Sequence, residues 1–109
     1  MPYQLQVRMN GELGKNLNRF VGRTGLIRRG RLDDAWDEKF GTRVLRPSEA
    51  GLVELILVRW ADDTWVIALE YQGDPLPQQE TKRLKRIILN AAAEVGMTIT
   101  SVFPRTGLR

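Results

Sequence analysis

The chain has 109 residues, a formal net charge of +4, and neither cysteine nor histidine. Those two absences exclude disulfides, a thiol nucleophile and thiolate metal sites, along with the commonest general base and metal ligand. The length fits one domain, 1–109, large enough to bury an ordinary core without covalent staples. No apolar run reaches the ~20 residues that a membrane span needs. The start, Met1-Pro2-Tyr3-Gln4, lacks the basic-then-apolar pattern of a secretory signal. The expected setting is therefore soluble and cytoplasmic.

In chain order, residues 3–9 alternate, with Tyr3, Leu5, Val7 and Met9 against Gln4, Gln6 and Arg8. That pattern predicts a strand with one wet face. Asn10 can cap a helix starting near Gly11. Leu13, Leu17, Phe20 and Val21 then recur at helical spacing up to Gly22 and Gly25. Residues 23–31, RTGLIRRGR, read as a Gly- and Arg-rich loop. A second short helix is expected to carry Leu32, Ala35, Trp36 and Phe40 on one face, with Gly41 as its stop. Residues 42–45 could form a short strand, and 47–51 a turn.

Residues 52–72 are the most apolar stretch and break at Asp62-Asp63. They predict a β-hairpin at the middle of a sheet. With those aspartates at the tip, Trp60 pairs with Trp65, Val58 with Ile67 and Ile56 with Leu69. These six share the face that helices cover. The other face then carries Val53, Leu55, Leu57 and Arg59 against Val66, Ala68 and Glu70. Leu55, Leu57 and Val66 should not stand together in water. Cover could come from the 24–46 segment (through Leu26, Ile27, Trp36 or Phe40) or from a second copy of the chain, and the chain's own segment is favoured. A slip of one residue would exchange the faces of one strand.

Pro77 suits the first turn of a helix. Leu84, Ile87, Ile88, Ala91, Ala92 and Val95 form one stripe, and Gly96 ends it. Residues 97–103 read as a last strand, and 104–109 as a frayed tail. The order matches an α+β, ferredoxin-like (split βαβ) arrangement. That implies a four-stranded antiparallel sheet in the order 4-1-3-2, two main helices on one face and an irregular 23–51 insertion. The fold hosts many functions and names none.

Charge is unevenly placed. Residues 1–31 carry seven Lys/Arg against one acid, residues 32–79 four against ten, and residues 80–109 six against two. Arg23, Arg28, Arg29 and Arg31 cluster between glycines, and Lys15, Arg19 and Arg23 recur every four residues. Guanidinium forks suit phosphates. Lys82, Arg83, Lys85 and Arg86 lie in the first turns of the last helix, against its dipole. Arg19, Arg23, Arg28, Arg29, Arg31, Lys82, Lys85 and Arg86 are thus the candidate nucleic-acid-binding residues. The open face of the two central strands offers no ring for stacking bases, unlike an RNA-recognition sheet.

Asp63, followed seven residues on by Glu70-Tyr71-Gln72, resembles the Asp…(D/E)-x-K pattern of PD-(D/E)xK nucleases, over the hairpin alone. The resemblance implies Mg²⁺ held by the two carboxylates. Gln72 stands at the lysine position and carries no charge. The chain is read first as a small, basic, non-catalytic nucleic-acid-binding module with no cofactor or metal. The alternative is a protein-interaction module, monomer or homodimer, using Trp36, Leu55, Leu57 and Val66. The nuclease-like hairpin comes third.

Overall fold

The structure is a computed structural model describing residues 3–28, 39–46, 48–61 and 63–103. The chain runs through β1 (Tyr3–Asn10), a 3₁₀ turn (Gly14–Asn16), α1 (Leu17–Thr24), β2 (Ile27–Arg28) and β3 (Lys39–Leu45). It continues through β4 (Gly51–Ala61), β5 (Thr64–Gly73), α2 (Gln78–Glu94) and β6 (Thr98–Phe103). The fold is α+β. One antiparallel sheet holds five long strands and a two-residue sixth, in the order β2-β3-β4-β5-β1-β6.

Both helices lie on one face of the sheet. Leu17, Phe20 and Val21 of α1 and Leu84, Ile88, Ala91 and Ala92 of α2 share a core with alternate residues of the strands. Those are Leu5, Val7 and Met9 of β1, Val53, Leu55 and Leu57 of β4, and Trp65, Ile67 and Leu69 of β5. The alternation of β1 from Leu5 to Met9 and the stripe of α2 thus translate directly into burial, whereas a bulge between Tyr3 and Leu5 sets Tyr3, expected beside Leu5, opposite Glu70 on the other face. Ile87, at the margin of that stripe, is only half-buried.

Four strands, β6-β1-β5-β4, stand in the order expected for the last, first, third and second strands. The expected total of four is exceeded, because residues assigned to an irregular insertion supply β2 and β3 on the outer side of β4. β3 also begins earlier than expected. Phe40 and Gly41, given to the end of a second short helix, are strand residues. Phe40 packs edge-on to Trp65, with ring centroids 5.3 Å apart. An aromatic and a β-branched run (Thr42, Val44) beside the long β4 edge pair more favourably as a strand than as one helical turn.

α1 starts later than Asn10 would have it. Asn10 still pairs with Thr64 and Thr98 in the sheet, and the helix opens at Asn16 with no side-chain capping bond. Gly14 falls in the 3₁₀ turn instead of the α-helix, which removes one costly residue from the helix interior. α2 ends as expected. The Gly96 N–H donates to the Ala93 carbonyl and the Met97 N–H to that of Ala92, and Met97 is buried.

The central hairpin departs most from expectation. Ala61 stands opposite Thr64, but Arg59 stands opposite Trp65, so Trp60 is an extra residue on β4. This is a β-bulge. It shifts every preceding residue of β4 by one place, which exchanges that strand's two faces. Leu55 and Leu57 pair with Leu69 and Ile67 on the helix side, while Ile56 and Val58 pair with Ala68 and Val66 on the other. The interface assignment of Leu55 and Leu57 is therefore corrected. Both are fully buried in the helix-side core and need no further cover.

Candidate interaction faces

With α1 and α2 on one side, the opposite face of the sheet carries the remaining half of every strand. Register fixes its rows. One row runs Ile27, Thr42, Ile56, Ala68, Gln6, Phe103 across all six strands. A second runs Val58, Val66, Arg8, Ser101, and a third Val44, Glu54, Glu70, Tyr3. Ile56, Val66 and Ala68 are buried at the centre yet belong to no helix-side cluster.

Trp60 was expected in the core. The bulge turns it to this second face, where the Arg8 guanidinium lies 5.4 Å from its ring centroid. Trp60 is 63% exposed, and a cation over an indole face is an attractive contact. Among the described residues, the large exposed hydrophobics are Tyr3, Ile27, Val44, Trp60 and Phe103. Register or the Arg8 contact places all five on this one face.

Among the side chains described, the charges of this face are Arg8, Glu54 and Glu70, the two acids directly opposite each other, and the Lys39 backbone also pairs opposite Val58. Two acids so placed are mildly unfavourable. The described side chains of this face are mainly apolar, with the two acids at one end.

The described candidate cations, Arg19, Arg23, Lys82, Lys85 and Arg86, lie on the helices. Arg23 extends from α1 to Glu94 at the end of α2, 3.0 Å away. Arg83 is 3.9 Å from Glu80, one turn back along α2. Arg19, Lys82 and Arg86 are exposed, and no ion pair to them is found among the described residues; Lys85 is half-buried. At ~1.5 Å per residue, Arg86 lies about 12 Å and Lys82 about 18 Å along α2 from Glu94. The α1 and α2 cations thus spread over one helical layer without converging on a point. Arg29, Arg31, Trp36 and the side chain of Arg28 lie outside the described residues. Val66, an interface candidate, does sit on the apolar face.

Asp63 is in the turn before β5, and Glu70 is seven residues further along that strand. At ~3.3 Å per residue they are about 23 Å apart, whereas ligands of one Mg²⁺ each stand ~2 Å from it. Among the described residues no group of three acidic, His or Cys side chains could hold a metal ion. No described helix is long and apolar enough to cross a membrane.

Sequence reading missed Trp60. A signal was present in the acids. Pairing Glu54 with Glu70 keeps both carboxylates off the core, which requires the register now seen. The regular hairpin would have set Glu54 opposite Tyr71 and Glu70 opposite Leu55. No family model matches the chain, and the searches of curated proteins and of solved structures return no significant similarity.

Proposed function

We propose that this chain is a non-catalytic interaction module whose sheet face opposite the helices receives a protein partner. One observation carries the reading: among the described residues, every large exposed hydrophobic side chain is on the face opposite the helices. Exposed apolar side chains gathered on one face, and not scattered over the surface, support an interaction site there. Trp60 stacked with Arg8 is the kind of aromatic–Arg anchor that dominates interface energetics. The section β6-β1-β5-β4 with α1 and α2 is read as a split βαβ unit, with β3 and β2 widening its open face.

Affinity capture should show this directly. The parent should retain a protein that a Trp60→Ser, Val44→Ser variant loses, while Arg19→Ala, Lys82→Ala, Arg86→Ala retains it. If both variants capture what the parent captures, the face is not the binding surface.

A second reading rests on Arg19, Lys82 and Arg86, exposed on the helical layer and joined in sequence by Arg29 and Arg31. Here the chain binds nucleic-acid backbone with little or no sequence preference. Each phosphate contact releases counterions, with a log–log salt slope of about −0.7 to −0.9 per contact. Titrations with single- and double-stranded DNA and RNA at several salt concentrations should therefore show a steep salt dependence. Changing Arg19, Lys82 and Arg86 to alanine should flatten it by up to about three contacts. An unchanged slope would leave these cations as solvated surface.

A further inference from the structure

Beyond the open face, the outer strand β6 carries an inference of its own. β6 pairs with β1 on one side and, among the described strands, forms the edge of the sheet on the other. Its six residues, TITSVF, include no charge, glycine or proline. An edge strand presents a row of unpaired N–H and C=O groups, and proteins usually protect it with lysine, proline, a bulge or extreme shortness. The opposite edge is protected by shortness, since β2 has two residues. β6 has only a bulge: Ser101 pairs with Arg8 and Ile99 with Met9, leaving Thr100 as the extra residue.

That bulge gives β6 a symmetry it would otherwise lack. Ile99 and Val102 both pack on the helix-side core. Thr98, Ser101 and Phe103 pair with Asn10, Arg8 and Gln6 instead, on the open face. In a strictly alternating strand, residues 99 and 102 would point to opposite faces.

We propose that β6 pairs antiparallel with β6 of a second copy, about a two-fold axis between Thr100 and Ser101. In that register Val102 meets Ile99 of the other copy on the helix side. Phe103 meets Thr98 on the open side, and Ser101 meets Thr100. The Val102–Ile99 rungs then match helix side to helix side and the Phe103–Thr98 rungs open side to open side, which a two-fold interface demands of a single surface. The edge closes, the two sheets become one, and the half-exposed Phe103 gains a cross-strand neighbour. The dimer leaves Trp60 outside the contact, so it stands or falls separately from the partner site on the open face.

Sedimentation velocity of the full chain over a concentration series is the test. A reversible monomer–dimer equilibrium is expected. Ser101→Lys would place two cations beside the axis, and Thr98→Lys would put one opposite Phe103 of the other copy. Both positions are exposed, so circular dichroism should match the parent, and each variant should weaken the dimer roughly tenfold or more. Trp60→Ser should leave it unchanged. A nitroxide on Ser101→Cys, the only thiol in such a chain, should show close inter-copy coupling. A chain that stays monomeric at every concentration overturns the proposal. So does a dimer that survives both lysines, or one lost with Trp60→Ser.

Discussion

Replacing Leu57 with alanine should lower the unfolding free energy by about 2–5 kcal/mol, whereas Val58→Ala should cost under about 1 kcal/mol. Leu57 is fully buried against the helices and pairs with Ile67, while Val58 is half-buried on the open face. A regular hairpin would reverse the ranking. It would send Val58 into the core beside Ile67 and put Leu57 on the other face. Urea unfolding of the two variants therefore reads out the Trp60 bulge without a new structure. Equal costs, or a larger loss for Val58, would show that the register is wrong.

Gly73→Ala should cost about 2–4 kcal/mol. Gly73 ends the β4–β5 pairing opposite Gly51, at the end away from the turn, with φ of 74°, in the left-handed region. A side chain there costs ~1–2 kcal/mol by itself. The added Cβ would also strike the carbonyl oxygen of Ala50. That oxygen belongs to the backbone of a turn held by neighbouring bonds. The Asp74 N–H donates to the Ala50 carbonyl at 3.4 Å, and the Ser48 hydroxyl to the Asp74 carboxylate at 2.7 Å. Gly96 is the comparison. Its φ is 80°, but nothing lies within 4 Å of a Cβ there, so Gly96→Ala should lose only the ~1–2 kcal/mol of backbone strain. Thermal unfolding of the pair separates strain from collision. A Gly73 variant no worse than the Gly96 variant would show that the 48–50 turn yields freely.

The sequence by itself determined the elements whose stability is local or whose pattern has a single solution. Leu5, Val7 and Met9 can share a face only in a strand. The stripe from Leu84 to Val95 can do so only in a helix, and Gly96 supplies the conformation that stops it. From those came the α+β class and the central hairpin. The charge asymmetry and the missing His and Cys are also properties of composition, and they frame the functional classes before any coordinate.

The tertiary structure decided which side of β4 is inside. Leu52 through Val58 is apolar on both parities apart from Glu54, so either face could be buried. The choice falls to one extra residue at Trp60, whose side chain reaches Arg8 on a strand fifty residues away. The same holds for β3, where Phe40 is held by Trp65 and not by its own neighbours in sequence. It holds also for the edge, because nothing within TITSVF says that no strand follows it in the sheet. A period-two pattern fixes the alternation of a strand but not its phase or its neighbours. Those depend on cross-strand pairs, which exist only once distant segments have met.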